Sequence, residues 1–456
     1  MNESVTAGIG VVSHDLPVSS EFASFMAGDW ADTSLPEEIR LTVADLTPAR
    51  RDRLSAHFPG ERLIVPAGEL KVRSNDCDYR FRPHSAYTWL TGLAGEEQAG
   101  HVLVLEPDGP SGHEAVLYIR PRSLRTGEAF YRDRRYGEFW VGRRPDLAEA
   151  ERMTGIRCVH LDGYGDLPPG RNAASDAELA AVLSGLRLVK DAWELGQLQL
   201  AVDHTVTGFE DVVRALPRAL AHPRGERWIE GVFGLRARVE GNGTGYETIA
   251  ASGAHACVLH WIRNDGPLDA RQLLLLDAGV ETDSLYTADI TRTLPLSGRF
   301  SSVQQQVYEL VLAAQEAGIA ALKPGASFRD FHRACMRVIA EGLKEWGVLK
   351  SAEGDFHRRY TLCSSGHMLG LDVHDCAQAR AEVYLDGILE EGQVLTVEPG
   401  LYLQPDDETL PPELRGIGVR IEDDLVITSE GARLMSDALP RTPAAIEAWM
   451  GTLLEG

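Results

Sequence analysis

Short apolar runs separated by turn residues mark the first part of the chain. The runs at residues 63–65, 101–105 and 115–119 have the length and composition of buried strands. Residues 1–40 differ, because they are polar and acidic with a small aromatic cluster, and we interpret them as an arm or a leading helix. The pattern predicts a mixed α/β domain behind this arm.

Helical periodicity replaces the strand pattern after a turn-rich stretch at residues 167–170. The next apolar residues recur at the spacing of one helix face: Leu195, Leu198, Val202, Val206, Phe209 and Val213. We place a domain boundary ahead of this helix. The chain is then predicted to have a smaller N-terminal domain at residues 1–188 and a larger domain at residues 189–456.

Two more helices are predicted within the larger domain. The first begins at Ser301 or Ser302 and stops at the Pro-Gly pair at residue 324. The second begins at Ser327, and Asp330 stands three residues later as a capping partner. The remainder of the domain is rich in strand pattern.

Charge and cysteine usage exclude several classes of partner. The 456 residues carry a formal net charge of −23, which disfavours nucleic acid and anionic membranes. The six cysteines are scattered without a Cys-x-x-Cys pair, which argues against a disulfide framework and a thiolate zinc site. With no secretory signal and no apolar run of about 18 residues, we expect a cytoplasmic protein.

Five residues of the larger domain are candidate metal ligands. Three of them directly follow apolar, strand-like runs, where a carboxylate tends to be buried; the five are Asp277, Asp289, His367, Glu398 and Glu422. Burying several carboxylates requires cations, and four carboxylates match two divalent ions. An oxygen-rich set with one imidazole suits manganese, with cobalt or zinc also possible.

These five residues stand in the Asp-Asp-His-Glu-Glu order of the pita-bread metallopeptidases. The surrounding words Leu-Gly-Leu-Asp-Val-His-Asp (369–375), Glu-Pro-Gly-Leu-Tyr (398–402) and Arg-Ile-Glu-Asp (420–423) resemble aminopeptidase P. Residues 81–85 and 90–92 are similar to its non-catalytic N-terminal domain. The resemblance implies an α+β fold: a C-terminal pita-bread catalytic domain preceded by a mixed α/β, creatinase/prolidase-like domain.

The resemblance also implies roles for individual residues. Asp289 and Glu422 are expected to bridge two metal ions, while Asp277 binds one ion and His367 and Glu398 complete the pair. A hydroxide between the ions is expected to attack the scissile carbonyl. Four catalytic assignments follow from the family: Glu398 as general base, His374 and His260 as substrate contacts, and Arg420 as the support of a neighbouring carboxylate.

The implied activity is removal of the N-terminal residue from a peptide with proline in second place, by a dimer or tetramer. One departure keeps alternatives open. At Cys363-Ser364 the family carries His-Gly, and a thiol is a weak hydrogen-bond donor, although Cys363 could also be a small buried hydrophobe. A prolidase-type dipeptidase, a hydrolase of another small amide and a metal-free binding protein on the same scaffold are the alternatives.

Overall fold

The computed structural model describes residues 16–37, 39–110 and 112–455. The chain divides into two compact units, the first ending at Ala180 and the second beginning at Ala181. The predicted boundary between residues 188 and 189 lies slightly later and stays a prediction. Of the predicted N-terminal arm, residues 1–15 lie outside the described residues, and a leading helix follows at Ser20–Met26.

The first unit combines short helices with one mixed sheet. Its helices are α1 (Ser20–Met26), α2 (Thr47–Ser55), α3 (Ser85–Thr91), α4 (Ala129–Arg132), α5 (Glu138–Val141) and α6 (Leu147–Thr154), and α7 (Ala177–Leu186) spans the division. Its strands are β1 (Leu63–Pro66), β2 (Val72–Ser74), β3 (Cys77–Asp78), β4 (Val102–Asp108), β5 (Gly112–Ile119), β6 (Arg157–His160) and β7 (Arg171–Asn172). Five of these strands form a sheet in the order β6-β5-β4-β1-β7.

The three apolar runs predicted as strands are the centre of this sheet. Strand β1 pairs antiparallel with β4, and β4 pairs antiparallel with β5, whereas β6 and β7 add parallel edges. Both faces of β4 are buried, since Val102, Leu103, Val104 and Leu105 are all part of the core. Burial on both faces explains why these strands are apolar at successive positions and do not alternate between apolar and polar residues.

The second unit contains five long or medium helices and several small antiparallel sheets. Its helices are α8 (Ala192–Leu220), α9 (Gly225–Glu240), α10 (Ser302–Ala321), α11 (Phe328–Glu345) and α12 (Pro443–Glu455). Its strands are β8 (Gly243–Thr244), β9 (Ile249–Ser252), β10 (Leu273–Ala278), β11 (Val280–Glu281), β12 (Ile290–Pro295), β13 (Val394–Val397), β14 (Gly400–Leu403), β15 (Ile417–Arg420), β16 (Asp423–Thr428) and β17 (Gly431–Leu434).

The predicted helix starts in this unit are confirmed. Helix α10 is capped by Ser301, and α11 is capped by Ser327 in a capping box with Asp330. Helix α8 buries Leu198, Val202, Phe209 and Val213 of the predicted face, while Leu195 and Val206 are partly buried. The helices therefore form where the apolar spacing and capping residues predict them.

Helices α8 and α9 approach each other closely at a glycine. A β-carbon added to Gly208 would lie 2.6 Å from the ring of Phe233, so a larger residue would push the two helices apart. The rings of Phe209 and Phe233 meet edge to face at 6.1 Å across the same contact. This packing fixes α9, whose buried residues matter for the site described below.

Candidate metal centre and active site

Asp277 and Asp289 come from neighbouring strands of the sheet β12-β10-β9. Asp277 lies near the end of β10 and pairs across the ladder with Thr291, while Asp289 directly precedes β12. The run of four leucines before Asp277 is buried, which draws its carboxylate below the surface as well. Two carboxylates are thereby held next to each other by strand register.

Glu398 and Glu422 face each other at an interruption between two ladders. Strands β13 and β16 pair up to Val397 and Asp423, and strands β14 and β15 resume at Gly400 and Arg420. Two residues intervene on each side, in one continuous register, so Glu398 stands opposite Glu422. Where the backbone pairing stops, the two side chains are free to turn toward the same point.

His367 reaches this point from the loop before β13. Its backbone exchanges hydrogen bonds with Thr396, whose amide donates to the His367 carbonyl at 2.8 Å and whose hydroxyl accepts from the His367 amide at 3.2 Å. The preceding Gly366 has φ +156°, and a β-carbon there would lie 2.1 Å from the Thr396 carbonyl oxygen. Only glycine permits this close backbone approach.

The orientation of the His367 ring suits a metal ligand. Its Nδ1 lies 3.1 Å from the Met368 carbonyl oxygen, so Nδ1–H donates there and Nε2 is left to accept. Nε2 points at two carboxylates, 3.2 Å from Asp289 Oδ2 and 3.5 Å from Glu398 Oε1. A lone pair facing carboxylate oxygens is the geometry that a cation between them would satisfy.

The five predicted residues converge on one place. Potential ligand atoms of Asp289, His367 and Glu422 all lie within 4.8 Å of one another. Asp277 joins them through Tyr246, whose hydroxyl lies 2.5 Å from Asp277 Oδ1 and 2.5 Å from Asp289 Oδ1. A phenol has a single proton and can donate to only one of these two oxygens, so the other contact needs a second proton or a cation.

Electrostatics point to the same requirement. Burial raises the pKa of Glu398 to about 7 although the charges of His367 and Arg420 oppose the rise. Burial and the charges of Asp289 and Glu398 raise the pKa of Glu422 well above its usual range. Burial lowers the pKa of His367, but its bond to Asp289 and the charge of Glu398 outweigh this and raise it to about 9, so without a cation a proton on Nε2 would supply the positive charge that the carboxylates require.

The hydrogen bonding of the Glu422 carboxylate shows whether a cation would fit this cluster. Glu422 Oε2 accepts a hydrogen bond from Thr291 at 2.7 Å, whereas Glu422 Oε1 is buried without any partner among the described residues. A buried carboxylate oxygen without a partner is costly in free energy, and a divalent ion would satisfy it. The donor set, four carboxylates with one imidazole, therefore fits hard or borderline divalent cations.

Arg420 supports this cluster from behind, as the sequence predicts. Its Nη2 donates to Asp277 Oδ2 at 2.5 Å, its Nε donates to Thr291 at 3.1 Å and its Nη1 donates to the Tyr402 hydroxyl at 2.9 Å. All three donors are buried and directed at fixed acceptors. Arg420 thus orients Asp277 through a direct hydrogen bond.

A cavity of about 520 Å³ opens above the five residues. It is lined by the five predicted ligands together with Tyr246, Glu247, Ile249, Leu259, His260, Ile262, Cys363, Ser364, Val373, His374 and Arg420. The ring of His374 meets the ring of His367 edge to face at 4.4 Å. The structure therefore brings every predicted ligand and catalytic residue to one cavity.

Cys363 lies at the cavity wall, half-buried, with its Sγ 3.9 Å from the Tyr402 hydroxyl. Burial and the charge of Glu398 raise the pKa of its thiol. Neither His255 nor His332 takes its place, because His255 contacts Glu226, His332 contacts Ser365, and neither lines the cavity. The thiol is thus the side chain that this position offers to a substrate.

Sequence reasoning missed several polar neighbours of the cluster. Tyr246 directly follows a glycine-rich stretch and bridges two carboxylates, and Asp424 accepts a bond from the Asp289 amide at 3.1 Å. Thr291 and Thr396 supply the hydroxyl contacts described above. Their only sequence signal is proximity to the predicted ligands, since a tyrosine or threonine in a strand-rich segment is usually explained by packing.

This arrangement is a carboxylate-rich centre of the kind that metal-dependent hydrolases use, and comparison with known proteins specifies the class. Residues 176–429 match metallopeptidase family M24, and residues 48–164 match the aminopeptidase P N-terminal domain. The family match covers more than half of the chain. M24 enzymes are metallopeptidases, which implies divalent metal ions.

The relatives are similar over nearly the whole length. Xaa-Pro aminopeptidase 1 of Streptomyces coelicolor is 52% identical over 96% of this chain and 93% of its own. Xaa-Pro aminopeptidase of Escherichia coli is 31% identical over 86% of this chain and 94% of its own. The chain belongs to the M24 metallopeptidases and, among them, to the aminopeptidase P family, and it is a hydrolase.

Solved structures agree with the fold prediction. An aminopeptidase from Pseudomonas aeruginosa matches with a TM-score of 0.77 at 30% identity, over 92% of this chain and 100% of that chain. A variant of Escherichia coli aminopeptidase P in complex with substrate matches with a TM-score of 0.77 at 28% identity, over 91% and 100%. The predicted α+β architecture, an N-terminal domain followed by a pita-bread domain, is confirmed.

Membrane spans were also predicted to be absent. No helix in the described part of the chain has the length and apolar character needed to cross a bilayer.

Proposed function

We propose that this chain is a two-metal Xaa-Pro aminopeptidase whose centre is formed by Asp277, Asp289, His367, Glu398 and Glu422. The observation that carries the proposal is the partnerless, buried Oε1 of Glu422 inside a carboxylate cluster at the floor of a cavity. Manganese is the proposed metal, because oxygen-rich sites favour it over softer ions. When bound, two such ions polarise the scissile carbonyl and lower the pKa of a water nucleophile.

The ligand roles are proposed from the resemblance to aminopeptidase P. Asp289 and Glu422 would serve both ions, and ligand atoms of both lie within 4.8 Å of each other and of His367. Asp277, held by Arg420 and Tyr246, serves one ion, and His367 with Glu398 serves the other. Glu398 is in addition the proposed general base, because it faces the cavity beside the other ligands, as the resemblance to aminopeptidase P implies.

Two histidines are proposed to contact the substrate. His260 and His374 line the cavity on different loops, from which each could direct a ring nitrogen at the substrate carbonyl. The apolar wall of Ile249, Leu259 and Ile262 matches the pyrrolidine ring of proline better than a charged side chain. A peptide with proline in second place is thus the proposed substrate, in agreement with the names of the relatives.

Location and assembly are proposed from the sequence and the family. Scattered free cysteines, with no disulfide among them, support a reducing, cytoplasmic setting. A dimer or tetramer is proposed by resemblance to aminopeptidase P. The prolidase-type alternative and the small-amide alternative share the same metal centre and differ only in substrate.

Metal reconstitution with matched substrates tests the proposal. The chelated chain is assayed after adding manganese, cobalt or zinc, on an Xaa-Pro tripeptide, an Xaa-Pro dipeptide and an Xaa-Ala tripeptide. We expect about two equivalents of metal by mass spectrometry and turnover of the Xaa-Pro tripeptide alone. Cleavage of only the dipeptide would identify a prolidase, and absence of both metal and turnover would support the binding-protein alternative.

A further inference from the structure

The loop at residues 253–266 builds one wall of the cavity. Its tip places Leu259, His260 and Ile262 along the lining, and two of these side chains are exposed: His260 and Ile262. An exposed tip of this kind usually has little packing to hold it in one position. What fixes His260 must therefore be sought in the stem of the loop.

A buried carboxylate from helix α9 binds the stem at four points, in addition to the bonds that Asn264 makes to residues 248 and 250 and that Gln404 makes to the Cys257 carbonyl. Glu226 is 0% exposed, and its two oxygens accept four hydrogen bonds from the loop and its approach. Oε1 accepts from the Ser252 amide at 2.8 Å and from His255 Nδ1 at 2.7 Å. Oε2 accepts from Trp261 Nε1 at 2.9 Å and from the Gly266 amide at 2.7 Å.

The backbone at Gly266 packs tightly against the Glu226 carboxylate. The Glu226 amide donates to the Gly266 carbonyl at 3.1 Å, so the two residues are linked in both directions. A β-carbon on Gly266 would lie 2.8 Å from Glu226 Oε2, which makes glycine necessary at this contact. All four acceptor positions of a buried carboxylate are thus occupied, an arrangement that strongly favours one loop conformation.

Aromatic stacking extends the support to the residue beside His260. The ring of His255 stacks on Trp261 at 3.8 Å and 21°, and the Arg263 guanidinium lies 4.3 Å from the same indole ring. Trp261 is buried and directly follows His260 in the chain. Fixing the indole therefore fixes the backbone from which the His260 side chain projects.

We propose that Glu226 is a positioning residue that holds His260 in place for the substrate. The inference rests on the proposed function, because it assumes that His260 contacts the peptide. Glu226 does not line the cavity and contacts no metal-ligand candidate through its four side-chain bonds. Its effect on catalysis is expected to pass through the loop and to leave metal binding unchanged.

A double-mutant cycle between Glu226 and His260 tests whether Glu226 acts on catalysis through the position of His260. Glu226→Gln keeps the size of the side chain, but an amide can accept with one atom only, so two of the four donors lose their acceptor. We expect kcat/KM on an Xaa-Pro tripeptide to fall about 10- to 100-fold, as misplaced catalytic groups cause, with metal content unchanged. In a His260→Ala background the same change should cause little further loss, because both act through one contact.

The matched control is Glu230→Gln, on the same helix one turn later and only partly buried, which should leave kcat/KM unchanged. A gentler variant, His255→Phe, retains the stacking on Trp261 and removes one donor, and we expect a smaller fall in the same direction. It keeps the inference testable if Glu226→Gln does not fold.

The proposal would be overturned if the losses in kcat/KM caused by Glu226→Gln and His260→Ala multiplied fully in the double variant. It would also be overturned if Glu226→Gln and His255→Phe both had wild-type kinetics. Failure of the proposed function is distinguishable, since the unmodified chain would then lack metal or Xaa-Pro turnover.

Discussion

Glu398 stands opposite Glu422 at the point where two antiparallel ladders of one register are interrupted. On each side two residues lie between the ladders, 398–399 and 421–422, and one residue of each pair is the glutamate. The Glu398 and Glu422 amides donate instead to the carbonyls of Ser365 and Thr291, at 2.8 and 3.1 Å. Cations between the carboxylates would offset the cost of burying these two negative charges side by side.

Removing one shared carboxylate should release both ions. We expect Glu422→Gln or Asp289→Asn to lose most of the bound metal and nearly all turnover, because each is proposed to serve both sites. Metal content by mass spectrometry, on protein shown to be folded by circular dichroism, checks the prediction. Glu247→Gln is the control, since Glu247 is an exposed cavity carboxylate. Full metal loading in Glu422→Gln would contradict the bridging assignment.

Arg420 should be needed for rate more than for metal binding. Arg420→Lys keeps the charge but cannot direct three donors at Asp277, Thr291 and Tyr402 at once. We expect kcat to fall about 10- to 100-fold, the range typical of lost supports to metal ligands. Steady-state kinetics and metal content, measured on the same preparations, test this prediction. Unchanged kcat in Arg420→Lys would mean that charge alone suffices.

Asp375 should stabilise the fold at neutral pH and less in acid. Burial alone raises the pKa of Asp375, but the charges of Lys190 and Arg187 outweigh it and hold the pKa well below its usual range. Lys190 Nζ lies 2.8 Å from Asp375 Oδ2, and both side chains are 1% exposed. A carboxyl with a depressed folded-state pKa contributes stability above its unfolded pKa of about 3.9, and that stability is lost as pH falls below this value.

We therefore expect Asp375→Asn to lower the free energy of unfolding by about 3–5 kcal/mol at pH 7. The difference from the parent chain should shrink below about pH 4, where the parent also loses the contribution. Denaturant unfolding of both chains across this pH range measures it. The exposed Asp437 provides the control Asp437→Asn, which should change little. An equal difference at every pH would disprove the electrostatic origin.

The sequence could predict the strands, the helix starts and the candidate ligands because their signals are local. Asp277 follows its apolar run directly, and Ser327 caps a helix three residues before its capping partner. Glu226 could not be found in this way, since its side-chain partners lie 26 to 40 residues later in the chain. In the sequence it is one more acidic residue in a helical pattern, and only tertiary packing shows that it is buried.

The last prediction concerns Cys363, where the family carries histidine. The thiol lines the cavity beside Ser364, and its raised pKa keeps it protonated at neutral pH, so it offers the substrate only a weak donor. Losing one transition-state contact typically lowers the rate about 10²- to 10³-fold. We expect the joint variant Cys363→His and Ser364→Gly to raise Xaa-Pro turnover by roughly tenfold or more, below that range because a grafted imidazole will be imperfectly placed.

The two changes belong together, because an imidazole needs the room that glycine leaves. Cys363→Ser alone is the control: it exchanges one small side chain for another, and we expect no comparable gain. Turnover is compared at equal metal loading, since none of the five proposed ligands is altered. A folded, fully loaded double variant that is no faster would mean that position 363 does not limit the rate. Compensation by His255 or His332 would not explain such a result, because neither ring lines the cavity and each already bonds elsewhere, to Glu226 and Ser365. The substrate would then be one that requires no donor from this wall.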